Sequence, residues 1–128
     1  MHGGVVTCRP ETPVTEVAQT MSAHHISALV VTDEGGLAVG VISRTDLANA
    51  SFVEAYWSHW RGMAARHLMT SPVVSVRPDT PVASAIALLR DRKIHRLVVT
   101  EPAEKGERPV GILSMTDVVR RMEVPGHG

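Results

Sequence analysis

The sequence predicts an α/β fold, α+β in layout, built from two pseudo-symmetric β-α-β-β-α repeats packed sheet to sheet. Three observations predict it. First, the chain matches itself: Val5, Val6, Arg9, Pro10, Thr12, Pro13 and Val14 recur 68 positions later as Val73, Val74, Arg77, Pro78, Thr80, Pro81 and Val82. Second, each copy holds one segment whose apolar residues fall at helical spacing. Third, each copy holds two short, continuous apolar runs, the mark of strands covered on both faces. A unit of roughly 60 residues buries its own sheet poorly, so the two copies are expected to pack against each other.

The elements follow in order. Val5–Thr7 and Val73–Val76 are β-branched runs that end at a proline turn. Thr12 and Thr80 stand where an N-cap belongs, with Pro13 and Pro81 at the first helical position. The helices carry Val14, Val17, Ala18 and Met21 in the first copy and Val82, Ala85, Ile86 and Leu89 in the second, spaced i, i+3, i+4, i+7 both times. The paired apolar runs are Ala28–Val31 with Leu37–Ile42, and Leu97–Thr100 with Val110–Leu113. A second helix is expected to start at Ser43 and at Ser114. Between the last two strands the offset changes from 68 to 71, which places a three-residue insertion in a loop from Glu101 to Pro109. The organisation read from these limits is a first repeat over 1–50, a helical connector over 51–67, a second repeat over 68–122 and a flexible tail over 123–128.

Composition excludes several function classes. Lys plus Arg is 13 and Asp plus Glu is 13, so the chain lacks the basic excess of a nucleic-acid binder or of an anionic-membrane binder. Hydrophobic residues at 44% and charged residues at 20% describe a globular chain, not a disordered one. The single cysteine, Cys8, allows no intramolecular disulfide and no multi-thiolate zinc site, which fits the cytoplasm. No apolar run approaches the roughly 18 residues of a membrane helix, and Met1-His2-Gly3-Gly4 is no signal peptide. No Ser-His-Asp order, P-loop or Rossmann glycine fingerprint is present, so no enzyme is predicted.

Several repeated motifs carry a family resemblance. A Thr-Pro helix start before an apolar face, an Ile before a Leu-Val-Val strand, and Gly-hydrophobic-hydrophobic-Ser-x-x-Asp each occur twice in the same order. The last is Gly40-Val41-Ile42-Ser43-Arg44-Thr45-Asp46 and Gly111-Ile112-Leu113-Ser114-Met115-Thr116-Asp117. Over residues 4–122 the chain resembles a tandem pair of CBS domains, the Bateman module. Ala65-Arg66-His67-Leu68-Met69-Thr70 is similar to the usual lead-in to such a repeat, and its counterpart before the first repeat is missing, which reads as a piece of a longer protein. The resemblance implies a regulatory sensor without catalysis of its own that binds an adenosine ligand: AMP, ADP or ATP, in some members S-adenosylmethionine or NAD. No cofactor is required.

Two readings apply to the Ser-x-x-Asp junctions. Ser43 with Asp46, and Ser114 with Asp117, can be capping boxes. A carboxylate at a helix start can also accept both hydroxyls of a ribose, the role the resemblance implies for Asp46 and Asp117. Asp117 is the stronger candidate, because the second repeat has Arg92, Lys93, His95 and Arg96 where the first has His24, His25, Ser27 and Ala28. His95 and Arg96 supply donors and charge for a phosphate, whereas Arg92 and Lys93 also suit a solvated helix C-terminus. Val73, Val74, Ile94 and Met115 are candidate walls for adenine, or ordinary core residues. Arg44 can reach a phosphate across the cleft between repeats or lie on the surface. Ser43, Ser114 and Thr116 complete the expected binding set.

Outside these motifs, Phe52, Tyr56, Trp57 and Trp60 are the only aromatics, and Phe52, Tyr56 and Trp60 share a helical face. They either cover the flank of their own pair or form the core of a homodimer interface. The adjacent His24-His25 do not chelate as an i, i+4 pair does, so no metal site is expected. The runner-up function is a ligand-free dimerisation scaffold in which both Ser-x-x-Asp pairs are only caps. Replacing Trp60→Glu tests the interface reading by sedimentation: the expected outcome is a monomer, and a dimer that survives unchanged excludes the aromatic stripe.

Overall fold

The structure is a computed structural model and describes residues 5–49 and 62–115. The elements are β1 (Thr7–Cys8), α1 (Val14–His24), β2 (Ala28–Thr32), β3 (Ala38–Ser43), a helical segment at 44–49 (α2), α3 (Ala65–Leu68), β4 (Ser75–Val76), α4 (Val82–Asp91), β5 (Arg96–Ala103) and β6 (Gly106–Ser114). They form two three-stranded sheets of identical topology, β1-β2-β3 and β4-β5-β6. In each, the first strand runs parallel to the second through a helical crossover, and the third returns antiparallel as a hairpin. The α/β architecture expected from the repeats is the one observed.

Strand alternation explains the layering. On β2, Leu29 and Val31 join Val17 and Met21 of α1 and Ile42 of β3 in one buried cluster. On β5, Leu97 joins Ala85 and Leu89 of α4. Val30 and Val98 belong to neither cluster, yet are 0% and 1% exposed. Successive side chains point to opposite faces, so these two turn away from their helices and face the layer between the sheets. Burial of this kind contributes about 1.5–3 kcal/mol per large apolar side chain.

The structure corrects several expectations. Thr12 and Thr80 do not cap the helices. The N-cap positions are Pro13 and Pro81, whose ψ angles of 141° and 145° lie outside the helix. Each threonine oxygen is already engaged in the preceding turn, accepting from the N–H of Arg9 and of Arg77 at 2.9 Å. With each proline extended behind that turn, the helix begins one residue later than expected. Ala18 and Val82 are exposed, the latter at 38%, so the buried helix faces are narrower than the spacing implied.

The segment 101–109 is not a loop. β5 and β6 stay paired to Ala103 and Gly106, and the three extra residues lengthen the hairpin arm. Ion pairs hold it: Arg108 to Glu101 at 2.9 Å and Arg77 to Glu107 at 2.6 Å. Its tip lies against the first repeat, since a Cβ on Gly106 would meet Leu37 Cδ1 at 3.0 Å.

Residues 63–70 tie the two repeats together. The first helical donor, Val14 N–H, reaches the Met63 carbonyl at 2.9 Å, and Ala65 N–H donates to Thr12 at 2.8 Å. Ala65 is fully buried within the first repeat's core. Thr70 then pairs with Val41 on the edge of β3 through two backbone bonds of 2.8 and 3.1 Å. The lead-in to the second repeat is therefore packed on the first. Gly40 permits it, because a Cβ there would stand 2.5 Å from Met69 Sδ and 3.1 Å from Met69 Cβ.

Two predictions follow from this packing. Gly40→Ala is expected to lower unfolding stability by about 1–3 kcal/mol, and Met69→Ala in the same chain to recover part of that loss. Strictly additive costs would show that Gly40 is not required for the close approach. The second concerns Cys8, which packs against the first core and whose thiol is pushed up to about 11, first by burial and then by the Glu16 carboxylate. Its thiolate is scarce near neutral pH, so alkylation at pH 8 is expected to be about two orders of magnitude slower in the folded than in the denatured chain. Above pH 9.0 the unfolded thiol ionises first, so this group removes stability as pH rises from there toward 11. Equal alkylation rates in the two states would refute the assignment.

Candidate functional site

The first strand-to-helix junction is fully described. Ser43, the last residue of β3, is buried, and Asp46 lies in the first turn of α2. Asp46 Oδ2 accepts from the Ser43 N–H at 2.8 Å and from its hydroxyl at 3.0 Å, while Ser43 Oγ accepts from the Asp46 N–H at 3.3 Å. The capping-box reading is thus correct for this pair. It uses only one carboxylate oxygen; among the described residues, Oδ1 accepts no hydrogen bond. The cap holds the carboxylate in place through Oδ2.

The two helix starts are anchored alike. Arg44 N–H donates to the Ser27 carbonyl at 2.8 Å, and Met115 N–H to the His95 carbonyl at 3.0 Å. Each bond sets the residue at the entrance of a central strand beside the start of the following helix. The preceding α1 and α4 both close through a residue with φ of 54°, His25 and Lys93. In this left-handed region a non-glycine side chain costs about 1 kcal/mol, and such positions cluster at ligand sites.

Two cavities open where these segments meet. The smaller, of about 350 Å³, has three kinds of wall. Ser43, Thr45 and Asp46 come from the first repeat; Pro72, Val73, Val74 and Ile94 form an apolar side; Lys93, His95 and Arg96 bring positive charge and donors. A concave, mostly apolar space with a few convergent polar groups is the general form of a small-molecule site. The larger cavity, of about 730 Å³, is lined by His25, Ile26, Ser27, Ala28, Ile112, Ser114 and Met115. It shares Thr45, His95 and Arg96 with the first. Arg96 Nη2 also donates across the repeats to Ser27 Oγ at 3.4 Å.

The residues singled out in the sequence distribute as follows. Asp46, Ser43, Val73, Val74, Ile94, His95 and Arg96 share one cavity. Ser114 and Met115 line the other, and Arg44 is exposed and lines neither. Thr116 and Asp117 lie outside the described residues, as do Phe52, Tyr56, Trp57 and Trp60. His95 and Arg96 share the smaller cavity with Asp46 of the other repeat and the larger one with Ser114 and Met115 of their own; Asp117, the acid expected beside them, lies outside the described residues. Thr45, Thr70 and Pro72 were not anticipated as lining residues. The Ser-x-x-Asp register could have flagged Thr45, and the lead-in motif could have flagged Thr70. Among the described residues no cluster of three His, Cys, Asp or Glu is placed to hold a metal ion. No described helix is long and apolar enough to cross a membrane.

Known proteins match this architecture. The sequence matches the CBS domain family over residues 1–52 and 65–124. It is 29% identical over 116 residues to an uncharacterized protein of Methanopyrus kandleri, covering 91% of this chain and 57% of that one. It is 28% identical over 119 residues to inosine-5'-monophosphate dehydrogenase of Halobacterium salinarum, covering 93% of this chain and 22% of the dehydrogenase. The chain thus spans less than two thirds of the length of these relatives. Among solved structures, the CBS domain of a CBS domain-containing membrane protein from Sphaerobacter thermophilus is similar with a TM-score of 0.77 at 29% identity, covering 93% of this chain and 82% of that one. CBSX2 of Arabidopsis thaliana, in complex with AMP, is similar with a TM-score of 0.73 at 29% identity, covering 92% and 87%. Two matched segments, each holding one of the two equivalent sheets, make this chain a tandem pair of CBS domains and a member of that family.

Proposed function

We propose that the chain is a regulatory module, without catalysis of its own, that binds an adenosine nucleotide (AMP, ADP or ATP) between its repeats. The observation that carries this reading is the Asp46 carboxylate, fixed through one oxygen by its cap and sharing a cavity with Lys93, His95 and Arg96. Vicinal ribose hydroxyls are two donors, and Asp46 Oδ1, which accepts no hydrogen bond among the described residues, has two lone pairs to receive them. Adenine then lies against Val73, Val74 and Ile94, and the 5'-phosphate meets His95 and the guanidinium of Arg96. The AMP complex of CBSX2 supports the ligand class. By pseudo-symmetry Ser114, Thr116 and Asp117 stand in the second repeat as Ser43, Thr45 and Asp46 do in the first, and they make a second, weaker half-site. Its strand entrance carries Ala28 where the first has Arg96.

Binding that bridges the repeats favours one relative arrangement of them, which an attached domain or a second copy of the chain reads as a population shift. The aromatic segment Phe52–Trp60 is the proposed contact between copies. The competing reading, a ligand-free scaffold, is favoured by the completeness of the Ser43–Asp46 cap.

Calorimetric titration of the chain with AMP and ATP separates the two. Saturable binding is expected, weakened at least tenfold by Asp46→Ala and by Arg96→Ala, and less by Asp117→Ala. Asp46→Asn retains an acceptor for the cap, so a loss of affinity in that variant is not a loss of folding. Absence of heat with either nucleotide, on a chain that circular dichroism shows to be folded, counts against the sensor and favours the ligand-free scaffold.

A further inference from the structure

Composition gives this chain no net charge, but the fold separates the charges it has. We infer that the two ends of the strands are complementary surfaces through which copies of the chain associate end to end. The basic end of one copy, where the central strands begin, meets the acidic hairpin end of the next. This is independent of what the clefts bind.

Topology sorts the charges. β2 and β5 run from the clefts to the hairpin turns, and α1 and α4 run the other way, closing at His25 and Lys93 on the cleft walls. Arg90, Arg92 and Lys93 at the close of α4, Arg96 at the start of β5 and Arg44 at the start of α2 therefore share one end of the molecule. The carboxylates described there are Asp46, held in its cap, and Asp91, 3.7 Å from Arg90. Among the described residues Arg44, Arg92, Lys93 and Arg96 pair with no carboxylate. One more carboxylate, in the place that repeat symmetry gives Asp117, would leave the cations in excess.

The opposite end is acidic. The two hairpin turns meet there, with Gly106 of the arm against Leu37 of the first repeat. The arginines Arg9, Arg77 and Arg108 are already paired at this end, with Glu11, Glu107 and Glu101. Glu16, Glu34, Asp79 and Glu104 are exposed and form no ion pair among the described residues, against Lys105 and Arg66. Glu34 and Glu104 stand in the two turns themselves.

Opposite charges at opposite ends of one neutral chain attract between copies and orient them, and neutrality removes the net repulsion that keeps charged copies apart. Shape runs with charge, because the clefts of about 350 and 730 Å³ open at the basic end and the turns form the acidic one. A contact between two different surfaces does not close on itself, so the assembly grows with concentration. Exposed charges are screened by salt, so it also weakens as salt rises.

The test is sedimentation velocity of the full chain at about 20 mM and about 300 mM salt. At low salt the weight-average mass is expected to climb with concentration to about twice its high-salt value or more, in the wild type and in Trp60→Glu alike. Arg44→Glu with Arg92→Glu, and separately Glu34→Lys with Glu104→Lys, are each expected to stay at the high-salt mass. An equimolar mixture of these two chains is expected to regain the rise, because each supplies the end that the other lacks, and that recovery shows both to be folded. A mass independent of salt, a rise lost in Trp60→Glu, or a mixture that stays at the high-salt mass overturns the inference. A wild-type chain that keeps one mass at both salts yet binds polyglutamate overturns it too, and assigns the basic end to a different acidic partner.

Discussion

The architecture depends on burying both faces of two central strands. All five residues of β2 are buried, and Leu97, Val98 and Thr100 of β5 are at most 1% exposed. One face of each strand is covered by its own crossover helix, whereas Val30 and Val98 lie outside both helix-faced clusters, and β2 and β3 meet β6 of the other repeat. A repeat alone would leave that face in water. Two copies solve it by packing sheet against sheet, and the buried threonines are accommodated because each hydroxyl has a partner: Thr32 donates to the Cys8 carbonyl, and Thr100 accepts from Arg77.

The clefts are a consequence of that pairing. Strand centres can be packed dry, whereas the strand entrances and the following helix starts carry backbone N–H groups and polar side chains that must stay near water or each other. Arg44 to Ser27 and Met115 to His95 satisfy part of this requirement locally. What remains between the repeats is concave, polar at its rim and lined by the same positions of both copies. Since the repeats have equivalent backbones, differences at these positions decide what each half of the cleft attracts. His95 and Arg96 against Ser27 and Ala28 is the largest of them.

The segment 63–70 makes the pairing asymmetric. It follows the first repeat in the chain and precedes β4, yet its bonds go to Pro10, Thr12, Val14 and Val41. Through Thr70 on the edge of β3 it delivers Pro72, Val73 and Val74 to the side of Asp46. Walls from one repeat therefore meet a carboxylate from the other, and a bound molecule in that space touches both.

The sequence by itself determined the repeat, the order of elements, the strands that are buried and the Ser-x-x-Asp junctions. These depend on local periodicity and on turn chemistry, which are written along the chain. The helix starts were misread because the same Thr-Pro pair serves a cap or a preceding turn, and only the Arg9 and Arg77 N–H groups decide between them. The hairpin arm at 101–109 differs from the expected loop because the backbone ladder of β5 and β6 continues to Ala103 and Gly106 through a Pro-, Gly- and charge-rich stretch, a pairing that composition does not report. His95, Arg96, Val73, Val74, Ile94 and Asp46 were legible as candidates. Tertiary structure alone brought them into one cavity, because a space between two repeats joins segments that local periodicity does not relate. That placement follows from residues 63–70 lying across the first repeat, a contact between segments distant in the chain.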